Sequence, residues 1–137
     1  MGITYDDGRK DLPCDQLHRL FLSVGWSDGG ESEALLRHFN APFRNSTLVV
    51  SAWDGDRLVG AVRVLSDQIT RSILYDLVVD PEYQNRGIGR ALVQQCIARF
   101  PDSEWLVQTT KGTAPYYEKL GFSVLNDVFL RIPSKYF

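Results

Sequence analysis

The sequence predicts an α/β protein: a central mixed, mostly antiparallel sheet with helices on both faces. Three observations predict it. The first forty residues place apolar side chains at helical spacing. Two β-branched, apolar runs flank Asp54-Gly55, a pair that supplies the positive φ angles of a tight antiparallel hairpin. Beyond them strand and helix patterns alternate, which brings parallel pairing into the same sheet. With 137 residues, 44% hydrophobic and 23% charged, the chain is expected to form one domain over 1–137.

The elements follow in order. Over 11–24, Leu17, Leu20, Phe21 and Val24 fall on one helical face, and Pro13 is tolerated in a first turn. Gly25-Trp26-Ser27-Asp28-Gly29-Gly30 breaks that helix. A shorter one follows, with Leu35, Leu36 and Phe39 as its buried side. Strands are predicted over 47–53, 57–65 and about 72–79, the last stopped by Asp80-Pro81. Gly60, inside the second, marks a bulge or a close backbone approach. A helix over 87–100 carries the stripe Leu92, Val93, Cys96, Ile97 and Phe100. A strand over 105–110 leads to a short helix over 113–120, with Thr113 as N-cap, Pro115 in the first turn and Gly121 after its end. Strands over 122–125 and 128–132 are expected to finish the sheet.

Composition excludes several functions. A formal net charge of −2 argues against a nucleic-acid partner held by a basic surface. No segment approaches the roughly 20 apolar residues of a membrane span. Cys14 and Cys96 make no disulfide framework, and His18 and His38 are isolated, so no metal is expected. No Gly-x-Ser-x-Gly elbow is present, and Cys96 lies in an apolar stripe. The N-terminal residues are polar and acidic, and Asn45-Ser46-Thr47 is read as an unused sequon. The expected location is cytoplasmic, with reduced thiols.

The most informative stretch runs from Leu77 to Leu92. A strand ends, a turn follows, and Gly87 and Gly89 open a helix. Such glycines let backbone N–H groups approach an anion, and the helix start adds unpaired N–H groups and the positive end of its dipole. Arg86 and Arg90 add charge, which suits a pyrophosphate. A Walker loop would need Lys and then Ser or Thr after the last glycine, where Arg90-Ala91 stands. A dinucleotide fingerprint would need a small residue where Leu92 stands. Gln84-Asn85-Arg86-Gly87-Ile88-Gly89 instead resembles the acyl-CoA loop of the GNAT superfamily of N-acetyltransferases: Gln or Arg, two residues, Gly, one residue, Gly or Ala. Tyr116-Tyr117-Glu118-Lys119-Leu120-Gly121-Phe122 resembles the second signature of that superfamily and follows one intervening strand, as it should. The resemblance covers about 47–125, and 59–89 is similar to small bacterial acetyltransferases and plant aralkylamine N-acetyltransferases. One departure is Thr110-Lys111-Gly112-Thr113, where many members carry an Asn that contacts CoA.

The resemblance implies the GNAT fold, acetyl-CoA as cosubstrate, and direct attack by a primary amine of a small molecule in a ternary complex. It assigns the cofactor to Gln84, Asn85, Arg86, Gly87, Ile88, Gly89 and Arg90, to the backbone of Leu77, Val78 and Val79, and to Tyr117. Tyr117 is the candidate acid for the leaving thiolate; the alternative is packing beside the sulfur. It is expected to point into the cleft, with Tyr116 and Leu120 on the core face. Asp76 is the candidate base; the alternative is that it shapes its strand, with a water chain taking the proton. Trp26, Asp28 and Tyr75 are candidates for the acceptor site, with Glu31 beside them. Homodimerisation through 128–132 is expected by analogy. A non-catalytic acyl-CoA-binding or sensing domain is the competing function.

Overall fold

The computed structural model describes residues 2–136. Its elements are β1 (Thr4–Asp6), α1 (Cys14–Ser23), α2 (Glu33–Arg37), α3 (Ala41–Arg44), β2 (Leu48–Asp54), β3 (Arg57–Ser66), β4 (Arg71–Val79), α4 (Ile88–Arg99), β5 (Glu104–Val107) and α5 (Ala114–Glu118). The strands form one sheet in the order β1-β2-β3-β4-β5. All neighbours are antiparallel except β4 and β5. β2 and β3 meet across the turn at Asp54-Gly55, where Gly55 takes φ 58°.

Each face of the sheet buries its own core. On one, Leu92, Val93 and Cys96 of α4 pack on Val50, Val59, Val62, Val64 and Leu74. On the other, Leu17, Leu20 and Phe21 of α1 and Phe43 of α3 pack on Val49, Ala61 and Val78. The strands alternate between the cores because successive side chains of a strand point to opposite faces. Gly60 shows both features expected of it. The β2–β3 register shifts beside it, and a Cβ there would lie 3.2 Å from Leu92 Cδ1 and 3.3 Å from Ile88 Cγ2. The missing side chain lets α4 lie close on the sheet.

Four expectations need correction. β1 and α3 carry too few residues for a periodicity to show. Leu35 is exposed, and only Leu36 and Phe39 are half-buried, because α2 touches the molecule along one edge. The strand expected over 105–110 stops at Val107. The strands expected over 122–125 and 128–132 are absent: that segment has no regular structure, and Val128, Leu130 and Ile132 are 82%, 91% and 94% exposed. Its apolar alternation is strand-like, but a strand needs a ladder partner, and none pairs with it in the single chain.

Candidate active site

The site is built where β4 loses its neighbour. β5 pairs with β4 only from Arg71↔Glu104 to Leu74↔Val107. From Tyr75 onward that edge of β4 is unpaired, while its other edge stays bound to β3 through Ala61↔Val78 and Gly60↔Val79. The change coincides with a bulge. Two residues, Asp76 and Leu77, stand opposite Val62 alone, and Asp76 takes φ 54°. A non-glycine residue there is uncommon, though Asp is among the residues that tolerate it. Arg63 Nε donates to Asp76 Oδ2 at 2.6 Å. The Arg63 guanidinium also lies 5.0 Å from the Tyr75 ring centroid and 5.9 Å from that of Phe43. Sequence reading missed Arg63, because only the strand register brings it to Asp76.

The candidate phosphate loop follows at the end of β4. Asp80 is buried, accepts a hydrogen bond from Glu82 N at 2.9 Å and pairs with Arg57 at 3.1 Å, which anchors the turn over Pro81–Tyr83. Gln84 Nε2 donates to Val79 O at 3.1 Å. Asn85 and Gly87 take φ 64° and 81°. Nothing lies within 4 Å of the place a Gly87 Cβ would fill, so the loop faces open space. Arg86 is oriented by stacking 5.0 Å from the Tyr83 ring centroid and by donating to Glu82 O at 3.1 Å. The Tyr83 hydroxyl in turn donates to Asp54 at 2.6 Å and holds its proton more tightly for it. Thus the loop is tied to the β2–β3 hairpin. Arg90 is exposed on the first turn of α4, whereas Ile88 and Val78 are buried. Those two can offer backbone only. The loop fits a pyrophosphate: free N–H groups at a twelve-residue helix start, two arginines and open space at Gly87.

α5 reverses the expected faces of the two tyrosines. Tyr117 is 9% exposed and Tyr116 is 40% exposed. Tyr117 packs edge-on against Phe122, 5.7 Å between centroids, and against Tyr116 at 5.2 Å. Burial pushes its phenol up to about 12, so it is a neutral proton donor at ordinary pH. The helix ends on Gly121 at φ 105°, with Phe122 N donating to Tyr117 O at 3.2 Å. Thr113 occupies the N-cap position without a side-chain cap bond; its hydroxyl and that of Thr110 are bonded to each other.

The acceptor candidates lie on the face covered by α1 and α3. Trp26 is half-exposed and meets Phe21 edge-on at 5.2 Å; Phe21 contacts Phe43 at 6.3 Å. A row of rings therefore leads from Trp26 through Phe43 to Arg63 and Tyr75. Asp28 is exposed and accepts from Gly30 N at 2.8 Å. Glu31 bonds His18 Nε2 at 2.9 Å, which lowers its pKa. Cys96 is fully buried, which pushes its thiol up to about 12, so it packs rather than reacts. Among the described residues no group of three or more His, Cys, Asp or Glu could hold a metal ion. No helix among them is long and apolar enough to cross a membrane.

A split sheet edge beside a glycine-opened helix is the arrangement expected of an acetyltransferase, and the comparisons agree. Residues 28–131 match the family model of the acetyltransferase (GNAT) domain, and the chain belongs to that family of enzymes. Over 125 residues it is 26% identical to an uncharacterized N-acetyltransferase, ycf52, of Pyropia yezoensis, covering 86% of this chain and 69% of the relative. It is 42% identical over 106 residues to the histone acetyltransferase TAP1 of Glycine max, covering 69% of this chain and 43% of that one. A GNAT family acetyltransferase structure from Streptococcus pneumoniae superposes with a TM-score of 0.79 at 23% identity, over 98% of this chain and 99% of the other.

Proposed function

We propose that this chain transfers the acetyl group of acetyl-CoA to a primary amine of a small molecule, by direct attack in a ternary complex. The observation that carries the reading is the unpaired edge of β4 at 75–79, which runs directly into the glycine loop that opens α4. That edge presents the backbone of Leu77, Val78 and Val79 to the pantetheine arm and the thioester carbonyl, where N–H donors stabilise the developing oxyanion. The pyrophosphate falls to 84–90. The amine nitrogen attacks the carbonyl carbon, the carbon–sulfur bond breaks, and the nitrogen gives its second proton to water. Tyr117 gives its proton to the departing thiolate and is reprotonated from solvent. The Oδ1 oxygen of Asp76, opposite the oxygen held by Arg63, accepts the proton the ammonium must lose, directly or through water.

Trp26, half-exposed and edge-on to Phe21, with Asp28 two residues on, supports an organic amine as acceptor. A protein lysine is the second reading, favoured by the name of the soybean relative. The test is a free-thiol assay with acetyl-CoA and a panel of aralkylamines, polyamines, amino sugars and lysine peptides, run beside calorimetry with acetyl-CoA. Turnover confined to the peptides would select the second reading. Binding without thiol release for any amine would leave an acyl-CoA-sensing domain.

The reading extends to one catalytic domain, a cytoplasmic location and a homodimer. Two free cysteines support the location. The exposed apolar segment around Val128, Leu130 and Ile132 supports the dimer, because a second copy can supply the cover a single chain lacks. Light scattering that gives a mass near 15.5 kDa at high concentration rejects it.

A further inference from the structure

We propose that Tyr116 is a positioning residue: its hydroxyl seats in the notch left by Gly89 and sets the spacing between the head of α4 and Tyr117. The proposal rests on the acetyl-CoA reading above and adds to it the reason why residue 89 is glycine. A Cβ built on Gly89 would overlap the Tyr116 hydroxyl, whereas it would meet Tyr116 Cζ at 3.6 Å and Val79 Cγ2 at 3.7 Å, ordinary contact distances. The hydroxyl alone therefore occupies the place of a methyl group.

Backbone conformation does not require this glycine. Gly87, at φ 81°, needs its freedom; Gly89 lies inside α4 with no positive φ. In a helix, glycine is less favourable than alanine. The space at 89 is therefore what the residue provides, and Tyr116 is what fills it. The superfamily pattern admits Gly or Ala at this place; here the tyrosine hydroxyl removes the second choice.

The contact continues to the chemistry. Tyr116 meets Tyr117 at 5.2 Å with the rings at 90°, and Tyr117 meets Phe122 at 5.7 Å. α5 has five residues, too few to hold its place by its own hydrogen bonds, so side-chain contacts fix it. A methyl at 89 would push the Tyr116 ring away from α4 and carry Tyr117 with it.

The experiment is a double-substitution cycle on the whole chain with acetyl-CoA and the best amine of the panel. Gly89→Ala is expected to lower kcat about 10²-fold, the scale of a 1 Å misplacement. Its calorimetric Kd for CoA should move less than about threefold, because the helix-start N–H groups remain. Removing the hydroxyl makes room, so Gly89→Ala with Tyr116→Phe should return to within about threefold of Tyr116→Phe alone. The melting temperature should follow the same cycle, lowered in Gly89→Ala and restored in the pair. A Gly89→Ala protein as active as the parent overturns the proposal. So does a defect that persists in the pair, or one confined to CoA binding, since the glycine would then serve the phosphates. If the parent releases no thiol with any amine, the acetyl-transfer reading fails instead, and the melting cycle still decides the contact.

Discussion

The two sides of the cleft are built by different means. The side proposed for the phosphates is backbone and exposed charge: its left-handed positions are Asn85 and Gly87, and Arg86 and Arg90 stand in solvent. The side where acyl transfer is proposed uses specific side chains held by other side chains. There the left-handed position is Asp76, bound by Arg63, and the proposed acid is a tyrosine walled in by Tyr116 and Phe122. An anion needs donors and room, which many backbones can offer. Proton transfer needs one atom in one place, and that demands packing.

The largest expected effect tests the packed side. Tyr117→Phe keeps the ring and removes the hydroxyl, so turnover should fall by about 10²–10⁴, the range for a general acid, while the calorimetric Kd for CoA barely moves. The sign of its pH dependence is set by burial. With the phenol pushed up to about 12, the proton is present at all lower pH, and Tyr117 imposes no fall in rate until pH nears that value. A descending limb near neutrality that survives in Tyr117→Phe belongs to another group. Near-normal turnover in Tyr117→Phe assigns the tyrosine to packing.

Next comes Asp76→Asn, which keeps a residue that tolerates positive φ. If the carboxylate takes the ammonium proton, kcat at neutral pH falls by about 10²-fold. The loss should shrink as pH rises toward an alkylamine pKa of about 10, because solvent then supplies free amine. A deficit independent of pH assigns Asp76 to shaping the bulge.

The smallest effect tests the open side. Acetyl-CoA at a hundredfold excess over its Kd should stabilise the parent by about 2.7 kcal/mol, read as a rise in melting temperature. Gly87→Ala adds a side chain at φ 81° and into the open seat. Its fold should lose about 1–2 kcal/mol from the backbone strain alone, and the ligand-induced rise should be mostly lost. An undiminished rise puts the cofactor site elsewhere.

The same division explains what the sequence made legible. The loop was readable because its requirements are local: a strand end, two glycines, a helix start, all within ten residues. The hairpin at Asp54-Gly55 and the approach at Gly60 were readable for that reason too. Arg63 was not, since it meets Asp76 only through a register that a bulge shifts. The faces of α5 were not either. In five residues the pairing of Tyr116 with Leu120 does not fix which side is buried; the notch at Gly89 and the ring of Phe122 do. The segment after Gly121 alternates like a strand, but pairing is a property of a partner, and no pattern within the segment names one.

The four-residue parallel ladder between β4 and β5 also divides the molecule dynamically. β5 is an edge strand on a short ladder, whereas β2, β3 and β4 are locked by long antiparallel pairing between two cores. The amides of β5 can therefore exchange with solvent through a small local opening that leaves both cores intact, and those of β3 only through global unfolding. The unpaired edge of β4 therefore borders the least firmly held strand of the sheet.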